Sequence, residues 1–218
     1  ELWKQIIDRV KIIAIFKVNA DIMIRTFALL SGFAWFANQG AIFGDVTLAA
    51  NHVLLQFVSM SAFFLDGFAH VSEMLSGKAI GAKDKPGFLK QLKDSTQIAG
   101  VTAVLLGGGI VLFAPSVISF ITKDPQVQLI AEQHAMYAGI YILVSFVAFQ
   151  LDGVFIGATR SKEMRNTSIL SLIVLIGVGT LLTQYYGNIG LWSSFIIYVI
   201  TRGVSLGLYM PKLVRELF

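Results

Sequence analysis

The 218-residue sequence has no cysteine, which excludes a disulfide framework and any thiolate metal site. Charge is scarce as well. Asp, Glu, Lys and Arg make up 14% of the residues, against roughly 25% in an ordinary soluble domain. Intrinsic disorder is excluded, because a chain that is 56% hydrophobic has ample apolar surface to bury and little charge to keep it solvated. His52, His70 and His134 are the only histidines and are too far apart in sequence to suggest a metal cluster. Of the four prolines, Pro86, Pro115, Pro125 and Pro211, none falls at the centre of a long apolar run, so continuous helical rods are expected. The sequence contains no P-loop, dinucleotide fingerprint, HExxH or nucleophile elbow. Neither ATP-driven work nor enzymatic chemistry is expected of it, and no cofactor is implied.

What the chain does have is long apolar runs, with a mean hydropathy of +0.73. A bilayer-spanning helix needs roughly 20 mostly apolar residues. Charge-free stretches lie at 26–44, 46–65, 96–122, 133–151 and 166–201. The first four each suit one crossing. The fifth is too long for one helix and carries Tyr185-Tyr186-Gly187-Asn188-Ile189-Gly190 near its middle, a turn signal, so it reads as a helical hairpin. The expected architecture is all-α: a polytopic membrane bundle of six transmembrane helices, with approximate spans 18–38, 46–76, 95–121, 126–158, 164–186 and 189–210.

Sorted by loop, fourteen basic residues fall on one side: Lys4, Arg9, Lys11, Lys17, Lys78, Lys83, Lys85, Lys90, Lys93, Arg160, Lys162, Arg165, Lys212 and Arg215. Lys123 alone falls on the other. The positive-inside rule then places both ends in the cytoplasm and the loops near 39–45, 123–132 and 185–190 outside. The formal charge of +4 is thereby a topological signal. The partner it implies is the lipid bilayer, with no nucleic acid. The chain opens Glu1-Leu2-Trp3, inside a basic segment, and is expected to be part of a longer protein.

Small residues four apart let helices approach closely in lipid, and Gly77/Gly81, Gly153/Gly157 and Gly203/Gly207 fit that spacing. Gly107-Gly108-Gly109 reads as a packing surface ahead of a hinge. Trp3, Trp35, Tyr185, Tyr186, Trp192 and Tyr209 fall near span ends, as interfacial aromatics do.

Ionisable groups inside spans are costly and are functional candidates by default. They are Asp66, Asp152, Asp21, Arg25 and Arg202, with Glu73 at the margin. Asp66 lies twelve residues before Lys78 and Asp152 eight before Arg160, about 18 and 12 Å of helical rise, so the two carboxylates are expected at comparable depth. A carboxylate in a low-dielectric site can exchange a proton near neutral pH, or hold a sodium ion with help from other oxygens. The alternative is that each is neutralised by a partner and merely sets helix register. Asp152 is the leading ion-coupling or substrate candidate, followed by Asp66, with the polar residues Asn51 and Gln56 as either ligands or interhelical hydrogen bonds. Asp21 and Arg25, four apart, are expected to form a pair on one helix face. With Asn19 beside them they read as a structural charge lock or an inside gate. Glu73, His70 and Lys78 on successive turns read as a gate or a solvated helix end.

Four stretches carry a resemblance: Val18-Asn19-Ala20-Asp21-Ile22-Met23-Ile24-Arg25-Thr26, Gly44-Asp45-Val46-Thr47-Leu48-Ala49-Ala50-Asn51, Leu65-Asp66-Gly67-Phe68-Ala69-His70-Val71-Ser72-Glu73, and Asp152-Gly153-Val154-Phe155-Ile156-Gly157-Ala158-Thr159-Arg160 followed by Met164-Arg165-Asn166. In this order, over nearly the whole chain, they resemble the C-terminal half of DinF-like members of the MATE (multidrug and toxic compound extrusion) family. The resemblance implies a twelve-helix fold in two six-helix lobes, of which this chain would be the second, its N-terminal six-helix partner lying outside it. It also implies export of small organic cations in exchange for H⁺ or Na⁺ by alternating access, in the plasma membrane, here the bacterial inner membrane. Sodium-coupled relatives carry a glutamate in the first helix of this lobe, but Phe27 to Trp35 has no acidic residue, which favours protons. Their acidic residue on the fourth helix has its counterpart in Asp152. Two competing readings stand beside this one: a flippase of lipid-linked precursors from the same superfamily, and a non-transporting membrane scaffold subunit.

Overall fold

The computed structural model describes residues 9–218, and among these there is no strand. Five helical stretches are present: α1 (Arg9–Ile42), α2 (Asp45–Gly81), α3 (Lys85–Ile121), α4 (Pro125–Gly157) and a last one over Ser161–Leu217. The last is broken at Gly187, whose φ of 57° and ψ of −135° are not helical. It therefore consists of α5 (161–186) and α6 (188–217), antiparallel to one another as the turn signal predicts. Helices α1, α2 and α6 extend beyond the expected spans at both ends, and α3 and α5 begin earlier than expected but end where expected. A 37-residue helix such as α2 is about 55 Å long, well over the roughly 30 Å of hydrocarbon, so its end turns reach the headgroups and water, where charge costs little.

The helix ends follow from local chemistry. Gly44 between α1 and α2 has φ 92°, a left-handed conformation open to glycine at no steric cost. Asp84 caps α3 by accepting from Gly87 N at 2.9 Å, and Asp124 caps α4 by accepting from Gln126 N at 2.8 Å. Pro86 and Pro125 sit in those first turns, where a missing N–H costs nothing. At the other end, α2 and α4 close alike. Asp84 N donates to Ala79 O at 2.9 Å and Arg160 N to Phe155 O at 2.8 Å, with Lys83 and Thr159 in the left-handed region. These are two Schellman closures following the two Gly-Ala pairs. Pro115 and Pro211 lie inside α3 and α6, near enough to the ends that the rods continue.

Helix α4 is the central rod. It packs against α2, α3 and the α5–α6 pair, whereas α1 leans chiefly on α5–α6. The core on the α1, α4 and α6 side is aromatic: Tyr141 stacks on Phe195 at 4.6 Å between centroids, Phe195 on Tyr198 at 5.7 Å, and Phe36 meets Trp192 edge-on at 4.9 Å. Trp192 is therefore a fully buried core residue and not the interfacial anchor its position predicts. Its indole N–H is satisfied by Asn51 Oδ1 at 2.9 Å. Tyr185 and Tyr186 are exposed at the hairpin turn.

Of the three small-residue motifs, one makes a close helix contact. A Cβ at Gly153 would lie 2.0 Å from Ala69 O, and one at Gly157 would lie 2.3 Å from Glu73 O. These approaches set the register of α4 on α2. Gly81 has open space around it, and Gly77, Gly203 and Gly207 make only ordinary contacts. In the glycine triplet, Gly107 packs on the backbone of Gly139, while Gly108 and Gly109 face open space.

Candidate functional site

The register of α2 on α4 brings the membrane-embedded charges together. With Ala69 opposite Gly153, Asp66 lies level with Gln150, and Asp152 about 3 Å further along the axis. Asp152 is buried, and its Oδ2 accepts from Arg25 Nη2 on α1 at 2.5 Å and from Arg202 Nη2 on α6. Arg202 is buried too, and its guanidinium sits 5.7 Å over the Phe149 ring, a cation–π contact that lowers the cost of keeping it in the membrane. One carboxylate thus ties three helices. The charge of Asp152 is countered by two guanidinium groups.

Asp66, by contrast, is exposed and has no ion-pair partner among the described residues. It lines a cavity of about 430 Å³ together with Arg25, Arg202, Phe33, Tyr141 and Phe149. Around the clamp, Asp152 Oδ1, Arg25 Nε, Arg202 Nε and the Tyr198 hydroxyl are buried with no hydrogen-bond partner. The arrangement is chemically lopsided: two fixed cations share one anion, and a second, free carboxylate faces the same space.

Asp21 and Arg25, expected to pair with each other, do not. Asp21 Oδ1 accepts from Arg165 Nη1 at 2.5 Å and its Oδ2 from Ser161 Oγ at 3.2 Å, both on α5, while Arg25 reaches α4. An i,i+4 ion pair is worth only about 0.2–0.5 kcal/mol, and a partly buried charge gains more from a partner on a second helix that shields both. A double-mutant cycle checks this: Asp21→Asn and Arg165→Gln should couple by about 0.5–3 kcal/mol, whereas Asp21→Asn and Arg25→Gln should add within about 0.5 kcal/mol. The reverse pattern in melting temperatures would restore the pairing along α1.

The remaining candidates separate. Asn51 is buried in a reciprocal amide pair with Asn188, at 2.8 and 3.1 Å, and with its bond from Trp192 it fastens α2 to the start of α6. Gln56 is exposed and lines the space between α2 and α3. Asn19 is exposed on α1. Glu73 meets His70 Nδ1 at 3.4 Å on an exposed face, and Lys78 joins no ion pair among the described residues, which fits a solvated helix end. Sequence reasoning missed Arg165 and Ser161, the partners of Asp21. It also missed a buried cluster in which Gln150 Nε2 donates to Ser72 Oγ and Ser95 Oγ, each at 2.5 Å. Gln150, two residues from Asp152 in a charge-free run, was visible as a polar group in a span.

Six long apolar rods around paired intramembrane charges define a multi-pass membrane protein. The sequence profile of the MatE family matches residues 22–182, and the chain belongs to that family. It is 34% identical over 191 residues to DNA damage-inducible protein F of Escherichia coli K12, covering 87% of this chain and 41% of that protein. It is 29% identical over 187 residues to the probable multidrug resistance protein NorM of Agrobacterium fabrum, covering 79% of this chain and 39% of that one. The fold is that of a crystal structure of MATE in the bent conformation, with a TM-score of 0.86 at 16% identity, over 96% of this chain and 47% of that one. The chain thus spans less than half the length of the relatives it matches.

Proposed function

We propose that this chain is the C-terminal lobe of a two-lobe secondary antiporter that exports organic, chiefly cationic compounds in exchange for H⁺ or Na⁺ by alternating access. Its setting is the bacterial inner membrane, with both ends of this segment in the cytoplasm and a second six-helix lobe completing the transport path. Membership of the MatE family supports the transport reading, as do the distribution of basic residues and the aromatic-walled cavity.

The observation that carries the mechanism is the free carboxylate of Asp66 in a cavity where Asp152 is already doubly paired. Asp152, the leading coupling candidate on sequence, becomes the post that holds Arg25 and Arg202. The coupling role passes to Asp66, which can meet either a proton or the cationic group of a substrate, but not both at once. That exclusion is what antiport requires. A proton needs only this one carboxylate, whereas sodium needs several more oxygens around it, so proton coupling is favoured.

Asp66→Asn in the complete two-lobe protein should lower efflux of a cationic dye, driven by an imposed pH gradient in everted vesicles, by tenfold or more at unchanged protein level. Efflux that persists undiminished removes Asp66 from the mechanism. The same vesicles driven by a sodium gradient decide between the ions.

A further inference from the structure

The cavity beside Asp66 has a charge pattern that a simple cation does not use. Arg25 and Arg202 face Asp152 alone, and the Nε atoms of both guanidinium groups are buried without partners. Arg202 is 6% exposed and lines the cavity, so a costly buried cation stands where a ligand can reach it. A guanidinium presents its donors as a planar fork matched to carboxylate or phosphate oxygens. Across the same space stands the unpaired carboxylate of Asp66. Two guanidinium groups, one of them in excess, thus oppose a single free anion.

The space does not end there. Phe33, Ser59 and Phe63 also line a second, adjacent cavity of about 480 Å³, and its Gln56 and Met60 also line a third of about 610 Å³ between α2 and α3. The third is walled mainly by apolar side chains, Phe57, Leu106 and Phe113 among them. From Asp66 to Gln56 the path runs ten residues along α2, about 15 Å. Gly109 lines its far end, with open space where a side chain would begin.

The geometry points to a zwitterionic amphiphile as the occupant: one headgroup bearing both an ammonium and an oxyanion, and a single apolar tail. The oxyanion lies on Arg25 and Arg202, the ammonium on Asp66, and the tail runs past Phe33 and Met60 into the cleft between α2 and α3. Charge complementarity fixes the headgroup, since an amine alone leaves the excess guanidinium charge unanswered and a carboxylate alone faces Asp66. This rests on the transport reading and names its substrate class.

The test is equilibrium binding to the complete two-lobe protein in maltoside micelles, with N-dodecylglycine, dodecylammonium, dodecanoate, N-octylglycine and N-butylglycine as probes. N-dodecylglycine should bind at least tenfold more tightly than dodecylammonium and dodecanoate, and N-butylglycine, which shares its headgroup, should bind weakly. Arg25→Lys, which keeps a cation beside Asp152, should reduce the preference over dodecylammonium several-fold. Asp66→Asn, at an exposed position, should erase the preference over dodecanoate. Gly109→Leu should weaken N-dodecylglycine tenfold while sparing N-octylglycine. Equal affinity for N-dodecylglycine and dodecylammonium overturns the proposal, as does equally tight binding of N-butylglycine or an equal effect of Gly109→Leu on both tail lengths. Dye efflux measured with the same protein reconstituted into sealed proteoliposomes separates the two readings: efflux with no zwitterion preference sinks the substrate class alone, while binding preference without efflux sinks the transport reading.

Discussion

Asp152→Asn should destabilise the lobe by about 3–5 kcal/mol, the cost of removing one partner from a buried ion pair. The substitution is nearly isosteric, so no cavity forms and the effect is electrostatic. It leaves Arg25 and Arg202 facing each other across a neutral amide at a site where both had bonded Asp152 Oδ2. Arg202 is buried and cannot reorient into water, so its charge stays uncompensated. Arg25→Gln should cost less, because Asp152 keeps Arg202 and the Arg25 side chain is 17% exposed. Melting of the detergent-solubilised protein, followed by size-exclusion fluorescence, should place Asp152→Asn well below Arg25→Gln. If the two variants melt together, the carboxylate is not the post on which the three helices meet. The comparison also tests the division of labour between the acids, since Asp66→Asn should leave the melting temperature unchanged and reduce efflux.

Gly153→Ala should be strongly disruptive for a single added methyl. Its Cβ would sit 2.0 Å from Ala69 O and 2.8 Å from Ala69 C, and backbone atoms cannot rotate away as a flexible side chain would. Relief requires α2 and α4 to separate, which loosens the register that places Asp66 beside the Asp152 clamp. Overpacking costs about 1–3 kcal/mol and occasionally more, and the upper end applies because the obstacle is main chain. Gly108→Ala is the control. Nothing lies within 4 Å of its Cβ position, and replacing a mid-helix glycine should stabilise by about 0.5–1 kcal/mol. Opposite shifts in melting temperature are expected. A Gly153→Ala protein that melts with the parent would mean that α4 does not rest on α2 at this point.

Along the sequence the three small-residue motifs are equivalent, and only the packing of α4 on α2 separates Gly153/Gly157 from the other two. The same holds for aromatics. Trp192 and Tyr185 lie seven residues apart on either side of one turn, yet Trp192 is sealed in the core and Tyr185 is exposed. Position along a span predicts depth but not which face looks inward, and in an apolar chain hydrophobicity carries little facial signal. The charges show the limit most clearly. Four residues of spacing put Asp21 next to Arg25 on α1, but each is claimed by another helix, Asp21 by Arg165 and Arg25 by Asp152.

By itself the sequence determined that this is a membrane protein of six rods, where its turns fall, and which family signatures it carries. Those follow from run length, turn residues and motif order, all of which are one-dimensional. Only the tertiary structure decided which of the membrane acids is free. Asp66 and Asp152 sit in similar local sequences, each a Leu-Asp-Gly, but the rotation of α4 turns Asp152 into the seam with α1 and α6 while α2 presents Asp66 to the open cavity. A buried charge must be compensated by whatever the packing brings within a hydrogen-bond length, and that neighbour lies more than a hundred residues away for Arg25 and fifty for Arg202.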